Sequence, residues 1–453
     1  MNQKDRASFG SKLGIILATA GSAVGLGNIW RFPYLTGQNG GAAFIFIYIA
    51  FVVVLAIPCM ISEFIIGRRG QANAVRAYDR IAGGGPWKFI GIMGVMTGFL
   101  ICSYYTVVSG WCLEYIYASA AGKLKGDPSY IQTFFTDFMS HPLKPVVCIV
   151  LFFLMTHLII VRGVEKGIER ASKLMMPALF VLLVVLVVAS CLLPGAAGGI
   201  RFLLHPDWSA VDGSVMLAAL GQAFFSLSLG MGALTTYASY FGRDTNLTTS
   251  AAQIASIDTF VAILSGLMIF PAAFSVGVSP DSGPSLVFIT LPNVFQQAFS
   301  FMPVLGQIVA VMFYFLLALA ALTSLISLHE VCTSYLHEEF RLSRSRAAVI
   351  VTSICMVIAV FCSLSFGNYP WLTFFGKSLF DLFDFATSQL LMPVGGFLTC
   401  LLMGWIVPRR IVRDEFTNGG LLRGSLFGVY LFLVRFVCPI GILLIFLNQF
   451  GIL

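Results

Sequence analysis

The sequence predicts an all-α protein that crosses a membrane about eleven times. Hydrophobic residues make up 58% of the 453 positions and charged residues only 10%, whereas soluble domains contain about 25% charged residues. The mean hydropathy is +0.91. Runs of about 20 apolar residues, each long enough to cross the hydrocarbon core as a helix, recur along the whole chain.

These runs are predicted as spans 1 to 11, and the segments between them are too short for a soluble domain. A single transmembrane domain is therefore predicted for residues 1–453. All ten cysteines fall inside the spans without a C-x-x-C pair, which indicates neither a disulfide framework nor a zinc site. The spans lie, in chain order, at about 12–36, 41–67, 88–119, 144–161, 167–193, 213–240, 246–276, 303–338, 347–366, 371–404 and 424–450.

The positions of lysine and arginine predict the orientation, because cytoplasmic loops are enriched in both. A cytoplasmic N-terminus assigns most of the 27 to the cytoplasmic side, and an odd number of spans places the C-terminus outside. The net charge of +7 is explained by this asymmetry, so no nucleic-acid partner is expected. The lipid bilayer is the expected surrounding, and the short loops favour the inner membrane of a bacterial cell.

Two spans are predicted to be broken in the middle. Span 1 contains three glycines between Gly21 and Gly27, and span 6 contains Ser226, Ser228, Gly230 and Gly232 in one short segment. Spans 1–5 and 6–10 are read as two halves, with a break in the first helix of each. That pattern is typical of an inverted-repeat transporter. Close helix packing through small residues is the alternative explanation.

Broken helices within a membrane expose unpaired N–H groups on one side of the gap and unpaired carbonyl groups on the other. The N–H groups suit a carboxylate, and the carbonyl groups suit a hard cation, which prefers oxygen ligands. The two breaks therefore favour a zwitterionic substrate that travels with sodium. No phosphate-binding loop or pair of nucleophile and base is found, so neither an enzyme nor an ATP-driven pump is expected.

Several long motifs occur in order along the chain. They are GSAVGLGNIWRFPY at 21–34, NGGAAF at 39–44, RGVEKGIERASKLMMP at 162–177, GQAFFSLSLGMGALTTYASY at 221–240 and ALTSLIS at 321–327. In these motifs the chain resembles the neurotransmitter:sodium symporter family, whose bacterial members include LeuT-like amino-acid transporters. The resemblance implies a LeuT-like 5+5 inverted repeat with helices 1 and 6 broken. Repeat one would be about 10–193, repeat two about 213–404, and an additional helix about 424–450.

The resemblance implies two sodium ions. The first would be held by the Ala23 carbonyl, Asn28, Ser226, Asp258 and the substrate carboxylate. The second would be held by the carbonyls of Gly21, Val24 and Ala320 and the hydroxyls of Thr323 and Ser324. Hydroxyls in an apolar span offer oxygen ligands without a charge. Back-bonding to their own helix is the alternative role for Thr323 and Ser324.

The resemblance also implies the substrate-binding residues, with Tyr105 bonding the substrate carboxylate. Amine-transporting relatives have an aspartate where this chain has Gly25, so a glycine leaves room for an amino-acid carboxylate. No expected contact residue is charged, which predicts a neutral hydrophobic amino acid, and the pliable Met231 extends this to aromatic ones. The implied set is Ser22, Ala23, Leu26, Gly27, Ile101, Tyr105, Phe225, Ser226, Ser228, Met231, Ser324 and Leu328.

Two gates follow from the same resemblance. Arg31 and Asp384 would pair on the outer side, above a lid formed by Tyr105 and Phe225. Arg6 and Glu338 would pair on the inner side, where glutamate stands in place of the aspartate usual in the family. Gly167 and Pro177 weaken span 5 and predict either a release path or a static kink.

Asp258 stands where chloride-dependent relatives have asparagine, which predicts that no chloride is required. The predicted function is sodium-coupled symport of neutral hydrophobic L-amino acids by alternating access. The alternatives are proton-coupled amino-acid transport, in which Asp258 exchanges a proton, and a substrate sensor built on a transporter fold. The sequence leaves the oligomeric state open.

Overall fold

The computed structural model describes residues 9–277, 287–367, 369–374, 376–449 and 452. Helices dominate these residues. Each predicted span contains one helix or several consecutive ones. The spans keep their numbers, and their bounds are those of the helices.

Span 1 consists of Lys12–Ala23, Gly27–Arg31 and Phe32–Gln38, and span 2 of Ala42–Phe51, Val52–Ala56 and Ile57–Gly70. Spans 3 and 4 are single helices, Lys88–Ala120 and Lys144–Val161. Span 5 consists of Val164–Glu169 and Arg170–Cys191. The short segments Gly27–Arg31, Val52–Ala56 and Val164–Glu169 are π-helical turns.

Span 6 consists of Gly213–Ser226 and Ala233–Ala238. Spans 7, 8 and 9 are Leu247–Ser275, Pro303–Glu339 and Arg344–Leu364. Span 10 consists of Leu379–Asp384, Phe385–Leu391, Met392–Leu401 and Leu402–Ile406, and span 11 of Phe427–Phe432, Leu433–Val437 and Cys438–Gln449. The segments Phe385–Leu391, Leu402–Ile406 and Leu433–Val437 are again π-helical.

Short elements connect the spans. The α-helices are Ala74–Ala82, Pro128–Ser140, Ala196–Leu204, Thr290–Ala298 and Arg409–Phe416, and the 3-10 turns are Trp208–Ala210 and Pro370–Leu372. Thr373–Phe374 and Lys377–Ser378 form an antiparallel hairpin, with Thr373 opposite Ser378. The prediction that span 10 begins at about 371 is therefore wrong. The helix begins at Leu379 because the residues before it form the 3-10 turn and this hairpin, and the Ser378 side chain caps the helix start.

Ten of the eleven predicted spans are long and apolar enough to cross a membrane, counted over the described residues. Among the described residues, nine helical segments are long and apolar enough to cross a membrane, and the bent pair in span 1 makes a tenth. Span 6 does not meet this criterion because its first helix has 14 residues and its second has 6. The count of eleven is therefore not confirmed, although a broken helix of this kind is what the glycines of span 6 predict.

Candidate functional site

The break in span 1 lies between Ala23 and Gly27, and the two parts are bent by 50°. Val24 leaves the helix in an extended conformation, with ψ at 108°. Its carbonyl oxygen therefore turns away from the helix and accepts hydrogen bonds from Thr323 Oγ1 at 3.2 Å and Ser324 Oγ at 3.4 Å. The end of this half-helix thus presents an oxygen toward span 8.

The break in span 6 lies between Ser226 and Ala233. Ser228, Gly230 and Gly232 all have positive φ, at 55°, 78° and 74°. Glycine reaches this conformation at no steric cost, which explains the two glycines in the motif. A buried carboxylate from span 2 holds the break: Gly230 N–H donates to Glu63 Oε1 at 2.7 Å.

The two breaks are in direct contact. Ser228 Oγ in span 6 donates to the Ser22 carbonyl in span 1 at 3.0 Å. Gln222 Nε2 donates to the Gly27 carbonyl at 2.9 Å. Side chains of span 6 therefore satisfy carbonyl groups on both sides of the break in span 1, and irregular backbone at membrane depth requires such partners.

A small cavity of about 30 Å³ lies between the breaks and spans 3 and 8. Its lining includes every predicted substrate-binding residue except Leu26 and Ser226. The structure adds Gly25 and Ser327 to the predicted set. The cavity is lined by Ser22, Ala23, Gly25, Gly27, Ile101, Tyr105, Phe225, Ser228, Met231, Ser324, Ser327 and Leu328.

One end of the cavity is polar. Leu26 contributes through its backbone there, since its N–H donates to Tyr105 Oη at 3.0 Å. A Cβ at Gly25 would lie 2.9 Å from Tyr105 Oη and still closer to Ser324 Oγ, so only glycine lets both hydroxyls approach the backbone here. Ser22 Oγ is buried and has no hydrogen-bond partner among the described residues. This end therefore has hydroxyl groups available to a bound molecule.

The other end is apolar and uncharged. Ile101, Met231 and Leu328 are each at most 5% exposed, and Phe225 closes the cavity beside Gly27. A Cβ at Gly27 would lie 3.2 Å from the Phe225 ring, so the two residues are in close contact. The lining contains no Asp, Glu, Lys or Arg. A buried uncharged pocket favours an uncharged apolar group, because an unpaired charge there would lose its hydration.

The side chains predicted for the first sodium site lie together beside the cavity. Asp258 accepts from Ser226 Oγ at 2.7 Å and from Tyr48 Oη at 3.2 Å, both at Oδ2. Asn28 Nδ2 donates to Asp258 Oδ1 at 2.7 Å and to Ser226 Oγ at 3.0 Å. Asn28 Oδ1 accepts from Gly25 N–H at 2.9 Å. In this arrangement the amide nitrogen faces the other oxygens, so a cation there would require the amide to turn.

The oxygens predicted for the second sodium site also meet. Thr323 Oγ1 donates to the carbonyls of Val24 at 3.2 Å and of its own helix residue Ala320 at 2.9 Å. Ser324 Oγ lies within 3.4 Å of the Val24 carbonyl. Gly21 is adjacent, since a Cβ there would lie 3.4 Å from Thr323 Cβ. Both side chains thus face the break in span 1, and Thr323 also bonds back to its own helix.

The residues predicted for the outer gate do not pair in this structure. The ion pairs found among the described residues do not include Arg31 with Asp384. The Arg31 guanidinium instead lies over the Phe225 ring, 4.3 Å from its centroid. Asp384 Oδ1 accepts from Tyr104 Oη at 3.1 Å. Tyr104 was missed from the sequence, where only the neighbouring Tyr105 matched a known position.

On the inner side, Arg6 lies outside the described residues. Glu338 accepts from the backbone N–H of Asn73 at 2.8 Å and from Asn73 Nδ2 at 3.2 Å. Phe9 packs edge-on against Tyr237 and Tyr240, with centroid distances of 5.9 and 6.1 Å. Asn73 is a further residue that sequence reasoning missed, because nothing in its local sequence links it to span 8.

The start of span 5 holds the start of span 1. Glu169 Oε2 accepts from Gly10 N–H at 2.6 Å, and Glu169 Oε1 accepts from Ser11 Oγ at 2.8 Å. Gly167 lies in the π-helical turn of span 5 and packs against the Ile159 carbonyl so closely that a Cβ would clash. Pro177 lies inside a continuous helix. Glu169 belongs to the motif at 162–177. Its contacts with Gly10 and Ser11 could not be predicted from the sequence, because about 158 positions separate them.

Comparisons with known proteins agree with this geometry. The family model described as "Sodium:neurotransmitter symporter family" matches residues 6–130 and 134–451. An uncharacterized sodium-dependent transporter of Bacillus subtilis is 38% identical, over 100% of both chains. One of Haemophilus influenzae is 34% identical, over 99% of both chains. The crystal structure of MhsT in complex with L-phenylalanine matches with a TM-score of 0.89 and 44% identity, covering 98% of this chain and 99% of that one.

Proposed function

The chain belongs to the sodium:neurotransmitter symporter family and is a multi-span, sodium-dependent transporter of LeuT-like fold, not an enzyme. From that premise we propose that it is a symporter of neutral hydrophobic L-amino acids, aromatic ones included, working by alternating access. The observation behind this proposal is the cavity between the two helix breaks, which is polar at Gly25 and apolar at Met231.

The polar end suits the amino-acid carboxylate. Gly25 leaves the space open, and Tyr105 Oη and the Leu26 N–H lie beside it. N–H groups at the start of a half-helix attract negative charge. The apolar end would then receive the substrate side chain, which has to be uncharged for the reason given above. L-phenylalanine bound to the similar MhsT supports an aromatic side chain at this end.

Two sodium ions are proposed. The first would be held by Ala23, Asn28, Ser226 and Asp258, with the substrate carboxylate completing its shell. The second would be held by Gly21, Val24, Ala320, Thr323 and Ser324. The mutual contacts of these oxygens support the proposal, because hydroxyl, carboxylate and carbonyl oxygens are the ligands that hard cations prefer. Sodium must bind one conformation better than the other to drive transport.

The proposed gates are Arg31 with Asp384 on the outside and Arg6 with Glu338 on the inside. Closing the outer gate requires the Arg31 guanidinium to move from the Phe225 ring to the Asp384 carboxylate, which accepts a hydrogen bond from Tyr104 in this structure. We also propose that residues about 10–193 and 213–404 are the two repeats, with 424–450 as an additional helix. The proposed membrane is the bacterial inner membrane, with the N-terminus in the cytoplasm and the C-terminus outside.

The first test measures binding of tritiated neutral amino acids to the purified protein, with sodium, potassium or protons as the available cation. We expect bulky apolar amino acids to bind only when sodium is present. Asn28→Ala and Thr323→Ala each remove an oxygen ligand of one ion. Each should lower the apparent affinity for sodium about 10- to 100-fold. Thr106→Ala is a matched control, because Thr106 Oγ1 bonds the Cys102 carbonyl of its own helix and lies in none of the proposed sites.

Three outcomes would separate the alternatives. Sodium-independent binding that follows a proton gradient would favour proton coupling through Asp258. Sodium-dependent binding without uptake into liposomes would favour a sensor. A cavity that accepted only glycine and alanine would contradict the hydrophobic substrate class.

Chloride independence gives a separate prediction. The Asp258 carboxylate lies beside Ser226 and Tyr48 and supplies a fixed negative charge near the first sodium. Wild-type uptake should be equal in chloride and gluconate media. Asp258→Asn should lose sodium-dependent uptake in gluconate and regain part of it in chloride. Full activity of the variant in gluconate would contradict this role for Asp258.

A further inference from the structure

Three cysteines from different spans meet in the protein interior. They are Cys59 in span 2, Cys400 in span 10 and Cys438 in span 11, and each is at most 1% exposed. Their sulfur atoms all lie within 4.8 Å of one another, and Cys59 Sγ is 3.1 Å from Cys400 Sγ. More than 340 positions separate Cys59 from Cys400 in the sequence, so spacing could not indicate the cluster.

The spacing of the sulfurs fits a metal ion. Thiolate sulfur binds zinc at about 2.3 Å, and three sulfurs at that distance around one ion in a plane lie about 4.0 Å apart. The Cys59–Cys400 separation of 3.1 Å is shorter than this value and none exceeds 4.8 Å, so small side-chain rotations would suffice. Among the described residues, no histidine or carboxylate joins the three sulfurs in this group.

The backbone around the cluster is irregular in all three spans. The π-helical turn Val52–Ala56 ends three residues before Cys59, Leu402–Ile406 begins two residues after Cys400, and Leu433–Val437 ends immediately before Cys438. Cys438 Sγ lies 3.6 Å from the carbonyl oxygen of Leu55, within the first of these turns. Single π-helical turns are frequent at functional sites. Three of them adjoining three converging cysteines is a second observation, independent of the sulfur distances.

We propose that Cys59, Cys400 and Cys438 form a binding site for one soft monovalent metal ion of the Cu(I) class. Thiol and thiolate ligands select Cu(I), whereas structural zinc sites almost always have four ligands. Binding replaces one S–H bond by a metal–thiolate bond and releases that proton to solvent. One thiolate, two thiols and Cu(I) are together neutral, so the bound ion adds no net charge to the buried interior.

The bound ion would couple the site to the broken helix. It joins span 2 to spans 10 and 11, and Cys59 precedes Glu63 by four residues, so both lie on one face of the same helix. Glu63 bonds the Gly230 N–H in the break of span 6. Metal occupancy would therefore restrain the helix that holds this break, independently of which substrate the cavity accepts.

The test uses the full-length protein in detergent, under anaerobic conditions with ascorbate, and presents Cu(I) in competition with bicinchoninate. One tightly bound equivalent is expected in the wild type. Cys438→Ser should lose that equivalent. Cys112→Ser is the matched control, because the Cys112 thiol is buried in span 3 and donates to the Val108 carbonyl of its own helix. It should keep the equivalent.

Retention of the tight equivalent by Cys438→Ser, or its loss in Cys112→Ser, would overturn the proposal. If Cys438→Ser does not fold, X-ray absorption of the Cu(I)-loaded wild type decides. Three sulfur neighbours around copper are expected, and two or fewer, or nitrogen neighbours, would refute the site.

Discussion

Replacing Gly25 by alanine is expected to weaken amino-acid binding about 10- to 100-fold, because the added Cβ would occupy the space assigned to the substrate carboxylate. That Cβ would lie 2.9 Å from Tyr105 Oη and closer still to Ser324 Oγ. Gly25 does not have a positive φ, so alanine can adopt its backbone conformation. The loss is therefore expected in binding, and scintillation proximity with a tritiated aromatic amino acid measures it.

Gly221→Ala is the matched control for this change. Gly221 lies in the first helix of span 6, and a Cβ there would meet nothing within 4 Å. Alanine is favoured over glycine in a helix by about 1 kcal/mol, so this variant should bind like the wild type. Wild-type affinity in Gly25→Ala would mean that the carboxylate binds elsewhere, and equal losses in both variants would indicate a general defect.

Local sequence predicted most of the fold, because helix breaks depend on the residues at the break itself. Gly21 to Gly27 and Ser226 to Gly232 mark the two interruptions, and the structure places both there. Hydropathy did not locate every helix end, because it measures an apolar run and not a helix. It extended span 10 into the hairpin of Thr373–Phe374 and Lys377–Ser378 for the same reason.

The residues of the candidate site also differ in how far the sequence could predict them. Residues within the quoted motifs, such as Asn28 and Thr323, could be assigned from the resemblance, and the structure brings them to the two breaks. Contacts between distant spans could not be assigned, since they depend on how helices pack. Tyr104 with Asp384 and Asn73 with Glu338 are of this kind. The cluster of three cysteines also depends on contacts between distant spans. In the sequence, each of these cysteines has the pattern of a small apolar packing residue.

Replacing Glu63 by alanine is expected to destabilise the protein by about 1–3 kcal/mol, because it removes the acceptor for a buried N–H group in the break of span 6. Glu63 is 1% exposed. Its Oε1 accepts from Gly230 N–H at 2.7 Å, and its Oε2 accepts from Thr235 Oγ1 at 3.2 Å. A buried N–H that loses its acceptor at membrane depth costs free energy, so the loss is expected in stability.

Glu63→Gln separates the hydrogen bonds from the charge. The glutamine carbonyl can still accept from Gly230 N–H, and its amide can donate to Thr235 Oγ1, so the break keeps both partners without a buried carboxylate. Thermal unfolding in detergent should therefore show a lower midpoint for Glu63→Ala and a midpoint near the wild type for Glu63→Gln. If both variants lose the same stability, the negative charge holds span 6 open, and the hydrogen-bond explanation is wrong. If neither loses stability, the positive φ values of Gly230 and Gly232 are sufficient to maintain the break without a partner from span 2.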